Sequence, residues 1–160
     1  MLFSRKLDRI DRRVTRWLAD HSLTILRISL GVVFFWFGCL KFFPGLSPAQ
    51  DLAGRTIESL SHGLIQPALS LPILAAWESL IGLGLISGLF LRGTLFLLLV
   101  QMLGTVLPFF FFPQEIFVRF PYALTLEGQY IVKNLVLVAA GLVLGSTVRG
   151  GRIVPERQGA

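Results

Sequence analysis

The chain has 160 residues, room for one compact domain. Hydrophobic residues make up 54% and charged residues only 15%, against about 25% charge in an ordinary soluble domain. That balance excludes a disordered chain, and a mean hydropathy of +0.72 argues against a water-soluble globule even at a net charge of +6.

Residues 1–22 are a basic segment carrying Arg5, Lys6, Arg9, Arg12, Arg13 and Arg16. Leu7, Ile10, Val14 and Trp17 recur among them at helical spacing, which predicts an interfacial amphipathic helix. No cleaved signal peptide is expected. The apolar stretch that follows exceeds the roughly 7–15 residues of a signal core, and no A-x-A site comes after it.

Four segments, 23–43, 71–91, 94–112 and 128–148, are long and apolar enough to cross about 30 Å of hydrocarbon. None alternates with period two, so each reads as a helix. In the loop after the first, Ser47 and Pro48 fit an N-cap and an N1 proline. Leu52, Ile57, Leu60 and Leu64 then recur on one side and Gly63 can end the run, which predicts a short outer helix. Only Arg92 and Gly93 separate the second and third segments, which predicts a tight helical hairpin. The loop over 113–126 carries Ile116, Phe117, Phe120 and Tyr122, of which the aromatics favour a membrane interface. Residues 149–160 are a basic tail with Arg149, Arg152 and Arg157. The expected fold class is therefore all-α: an integral membrane antiparallel four-helix bundle over 23–148.

Lys and Arg placement sets the expected orientation. The two tails and the Arg92 hairpin lie on one side, so both termini are placed in the cytoplasm and both long loops outside. Membrane lipid is the first expected partner.

Small and polar residues mark the inward faces. In the first span Arg27, Gly31, Phe34, Gly38 and Lys41 follow one another by 4, 3, 4 and 3 residues, which keeps them on one stripe. Glu78 and Gly82 lie one turn apart in the second. Thr94, Gln101, Thr105 and Pro108 share a face in the third, and Glu127, Tyr130, Asn134 and Gly141 in the fourth. The spacings Gly84–Gly88 and Gly141–Gly145 agree with close helix packing and would also serve a homo-oligomer.

A charge within hydrocarbon costs about 2.5–3.5 kcal/mol on insertion scales and so demands a partner or a wet cavity. Glu78 lies about 10 Å and Lys133 about 8 Å below the outer end, at 1.5 Å per residue. The best-matched pair is therefore Glu78 with Lys133, with Lys41 as competitor or third member. Lys41 and Arg27, nearer the two ends, are expected to snorkel. Asn134, Tyr130, Gln101 and Thr105 could complete a polar network. Such a network either holds helix register or forms an outer-leaflet pocket for a small ligand. Two lysines against one glutamate favour an anionic or carbonyl-bearing ligand.

Other chemistry lacks support. The single cysteine, Cys39, excludes an intramolecular disulfide or dithiol and reads as a packing residue; His62 reads as a solvated side chain. Neither histidine lies in a span, and no metal-ligand spacing, phosphate loop, nucleophile elbow or haem motif is visible. The basic residues follow the membrane pattern, so nucleic acid is not an expected partner.

Arg27-x3-Gly31 with Trp36-Phe-Gly38-x2-Lys41, then Glu78 with Gly82, Gly88 and Arg92, then Glu127-Gly128-x4-Lys133-Asn134, together resemble the DoxX-like membrane proteins, most closely the YkgB-like branch. The resemblance spans about residues 23–150. It implies four helices in a bacterial inner membrane. Members are associated with a thiosulfate:quinone oxidoreductase and with oxidative-stress defence. It therefore implies a quinone as the candidate cofactor and a redox subunit as the candidate partner, with Arg27, Lys41, Glu78 and Lys133 as the transferable positions. The lone cysteine departs from relatives that use cysteine pairs. Three readings follow: an accessory subunit of a redox or stress system rather than a stand-alone enzyme; a small-solute or ion permease acting as an oligomer; and a structural or assembly protein.

Overall fold

The computed structural model describes residues 2–47, 50–151 and 153–154, with side chains from residue 7 onward. The chain is mostly helical, and four helices are long and apolar enough to cross a membrane: Leu7–Leu40, Pro67–Ser87, Leu91–Phe111 and Leu126–Thr147.

Helix α1 runs without a break over Leu2–Leu40. At 39 residues it is about 58 Å long, well beyond the hydrocarbon thickness. The separate amphipathic helix expected up to residue 22 is thus the first half of one helix. The reason is local: Leu18 to Thr24 contain no glycine or proline to stop it. Leu7, Ile10, Val14 and Trp17 stay exposed, and Trp17 stacks on His21 with ring centroids 4.9 Å apart. The helix ends three residues earlier than expected, where Lys41 and Phe42 close tight turns onto Gly38 and Cys39. Pro44 and the positive φ of Gly45 (+78°) follow.

Helix α2 (Gln50–Leu60) is the short outer helix. Gln50 N–H bonds Ser47 C=O at 3.1 Å, while the expected N1 proline, Pro48, lies outside the described residues. Gly63, at φ +81°, ends the turn with a bond to Glu58 C=O.

Helix α3 (Pro67–Ser87) begins on an N1 proline and stops at Gly88, whose φ of +75° suits only glycine comfortably. The second span therefore sits four residues earlier than expected. The hairpin comprises Gly88, Leu89 and Phe90, and Arg92 and Gly93 fall in the first turn of helix α4 (Leu91–Gly104). Helix α5 (Pro108–Phe111) continues α4 after a turn. Pro108 has no N–H to give the Gly104 carbonyl, which instead accepts from Leu107 at 3.2 Å, and the helix tightens there.

The second long loop is more ordered than expected. Helix α6 (Pro113–Ile116) leads into a hairpin of strands β1 (Phe117–Arg119) and β2 (Ala123–Leu124), which pair antiparallel. Helix α7 (Leu126–Thr147) starts on Thr125, whose hydroxyl accepts from Gly128 N–H at 3.2 Å and donates to Glu115 C=O at 2.7 Å.

Contacts run from α1 to α3, α3 to α4, α4 to α7 and α7 back to α1. The packed core is Leu30, Phe34, Ile81, Leu85, Leu95, Leu98, Met102 and Leu144. Most of it lies toward the α3–α4 hairpin. The half toward the long loops is less tightly filled, and there the polar residues gather.

Candidate functional site

The site begins with two glycines. A Cβ on Gly38 would come within 2.6 Å of Ser79 N, and one on Gly31 within 2.8 Å of Ile86 Cγ1. Gly82 likewise abuts the backbone of Phe35. The α1 and α3 backbones therefore touch, which is what small residues permit at a membrane helix interface. Cys39 packs in this seam, its Sγ 3.9 Å from Ser79 Oγ.

This close approach brings Lys41 onto Glu78, with Nζ 2.6 Å from Oε2 and side-chain exposures of 9% and 11%. The other carboxylate oxygen accepts from Gln101 Nε2 at 2.8 Å. Glu78 thus has one partner on α1 and one on α4, and its charge is answered within the protein. The pair expected with Lys133 does not form. Depth favoured Lys133 and left Lys41 to snorkel, but the glycine seam places α1, not α7, against this turn of α3 and turns Lys41 inward. Lys133 Nζ instead lies 5.3 Å from the Tyr130 ring centroid, and has no ion pair or hydrogen bond among the described residues.

Arg27 does not reach for the membrane surface. Its Nη1 donates to the Leu85 and Ile86 carbonyls, the latter at 3.0 Å. These are orphan carbonyls in the last turn of α3, where a cation is also favoured by the helix dipole.

Lys41, Glu78, Gln101, Thr105, Tyr130, Lys133 and Asn134 all line one cavity of about 360 Å³. Val33, Phe37, Leu74 and Leu137 supply apolar wall. Thr105 spends its hydroxyl on Met102 C=O at 2.8 Å and stays out of the Glu78 network. Tyr130 and Asn134 reach the cavity without bonding Glu78. Lys133, Asn134 and Tyr130 thus bring hydrogen-bond donors to a mostly apolar lining.

Sequence reasoning missed Trp77. It lines an adjoining cavity of about 290 Å³ under α2, and its Nε1–H is buried without an acceptor among the described residues. The signal was present: Leu74, Trp77 and Glu78 are spaced i, i+3, i+4 on one face. It also missed the fastening of α2. Arg55 donates both guanidinium nitrogens to Glu115, at 2.7 and 2.5 Å, and lies 5.0 Å from the Phe112 ring centroid. The hydrogen bonds from Arg55 hold the Glu115 carboxyl below its ordinary pKa. Nothing local in the sequence joins residues 60 positions apart.

Four spanning helices with a cavity among them that polar residues line make this a multi-pass helical membrane protein. The family model DoxX matches residues 22–112, more than half of the chain, and the chain belongs to the DoxX family. The match holds Lys41, Glu78 and Gln101; Tyr130, Lys133 and Asn134 on α7 lie beyond it. No curated protein and no solved structure matches the chain.

Proposed function

We propose that this DoxX protein binds an amphiphilic ligand, quinone-like or lipid, in the cavity beside Glu78, and serves as an accessory subunit of a membrane redox or oxidative-stress system. The observation that carries the reading is the cavity's composition. Glu78, with its charge already satisfied by Lys41 and Gln101, organises one wall, while Lys133, Asn134 and Tyr130 keep donors for a ligand. The rest of the lining is mostly apolar, as binding sites for small amphiphiles are.

The same proposal places the protein in the YkgB-like branch and in a bacterial inner membrane. It reads the spans as an antiparallel bundle with both termini cytoplasmic and the cavity in the outer leaflet, as the Lys and Arg distribution suggests. A redox partner subunit and a homo-oligomer belong to it as well.

Equilibrium titration of the purified protein with a short-chain quinone and with a long-chain lipid tests the binding. Saturable one-to-one binding of either, weakened tenfold or more by Glu78→Gln, is the expected result. An absence of saturable binding by any amphiphile contradicts the reading.

A further inference from the structure

The two cavities share a wall. Ala53, Leu74, Gln101, Thr105, Tyr130 and Asn134 line both. The larger chamber is lined by the ionisable side chains Lys41, Glu78 and Lys133. The smaller is roofed by Leu52, Ile57 and Leu60 of α2 and walled by Leu74, Trp77 and Val100, with Glu127 of α7 as its one carboxylate. A compartment with two lysines thus adjoins one with a mostly apolar lining, which matches the division of an amphiphile.

Charge selects among amphiphiles. Lys41 is neutralised by Glu78 at 2.6 Å. Lys133 is not neutralised by any described residue, and the Tyr130 ring face beside it only moderates its charge. Lys133, itself exposed, is therefore the one cation of the larger chamber without a described counter-charge, while Glu127 lines the smaller one. A neutral headgroup would leave Lys133 so, and a dianion would overshoot it.

Resting on the amphiphile-binding reading above, we propose that the two chambers hold one molecule, a monoanionic amphiphile whose charged head sits at Lys133 and whose apolar chain lies under α2 beside Trp77. The head is a carboxylate or a phosphodiester, since either offers acceptor oxygens for Lys133 and Asn134. A free fatty acid and an anionic phospholipid both carry this chemistry.

Trp77 supplies the reporter. The chain has three tryptophans, and Trp17 and Trp36 are 51% and 65% exposed, so Trp17→Phe with Trp36→Phe leaves Trp77 alone without disturbing the core. This protein in detergent is titrated with dibromostearic acid, whose bromines quench indole fluorescence on contact. Saturable quenching is expected, reversed by competing oleate or phosphatidylglycerol. Displacement by the phospholipid assigns the phosphodiester head, displacement by oleate alone the carboxylate, and either supports the proposal. Lys133→Gln is expected to weaken binding tenfold or more and Lys133→Arg to preserve it. The brominated methyl ester, with the same chain and no charge, is expected to bind at least tenfold more weakly than the acid.

Equal binding of ester and acid, equal binding by the Lys133→Gln protein, or tighter binding of a neutral quinone overturns charge selection while leaving the amphiphile reading intact. No saturable quenching by any of these ligands overturns both.

Discussion

Lys41 and Glu78 meet across the α1–α3 seam with 2.6 Å between Nζ and Oε2, and little of either side chain is exposed. Such a pair is costly to break from one side, because the survivor is left charged in an apolar place. Lys41→Met or Glu78→Met alone is expected to destabilise the protein by about 3–5 kcal/mol. The double variant, which removes both charges, is expected to lose less than either single one. Thermal unfolding in detergent across the four proteins reads the coupling; additive losses would show that the pair is not acting as one unit.

The seam itself is tested at its glycines. Gly38→Ala puts a methyl group 2.6 Å from a backbone nitrogen that cannot step aside. A loss of about 1–3 kcal/mol is expected, the usual range for overpacking. Gly93 has open space around its Cβ position and lies in the first turn of α4, so Gly93→Ala is expected to be neutral or to gain up to about 1 kcal/mol. Melting temperatures of the two variants should move in opposite directions or differ plainly; similar losses would mean that α1 and α3 do not touch at Gly38.

Arg27 closes the far end of α3. Arg27→Leu strands the Leu85 and Ile86 carbonyls and is expected to cost about 1–3 kcal/mol, the range for an unsatisfied buried acceptor. Amide exchange at the α3–α4 hairpin should rise in that variant while exchange near Gly38 does not. Unchanged hairpin protection would deny Arg27 a capping role.

The Arg55–Glu115 bridge gives α2 a pH dependence. Glu115 has its carboxyl pKa lowered from 4.5 by hydrogen bonding to Arg55. A depressed carboxylate contributes stability that is complete above the unfolded value and is lost as pH falls through the folded one. Exchange of the α2 amides, corrected for intrinsic rate, is therefore expected to accelerate below about pH 4. Both side chains are nearly half exposed, so the effect should stay below about 1 kcal/mol. Arg55→Ala should remove the acceleration, and an identical profile in that variant would assign it to another group.

Much of this arrangement is legible in the residues themselves. Four apolar runs declare the spans, because hydrocarbon permits no other use of them. The 4-3-4-3 spacing from Arg27 to Lys41 marks the α1 stripe, and each of its members except Phe34, which joins the core, meets α3 directly. Polar residues one turn apart on α3, α4 and α7 point to a common cavity for the same reason. Depth misled on the partner of Glu78. It favoured Lys133, and only the Gly38 contact with Ser79, a matter of which helices adjoin, selects Lys41. Helix ends slipped where a single residue governs: Gly88 stops α3 before the apolar run is over. The β-hairpin after α6 and the Arg55–Glu115 bridge depend on residues brought together from a distance, and no local pattern announces either.

Organic extraction of the protein purified in mild detergent shows whether the paired cavities hold an amphiphile. Ala53 lines both chambers, so Ala53→Trp fills them while leaving every charged residue in place. Mass spectrometry of the two extracts should find one amphiphile at about one molecule per chain in the wild type, and its loss from Ala53→Trp. The same bulk phospholipids in both extracts, with no stoichiometric component, would mean that the cavities hold no specific amphiphile.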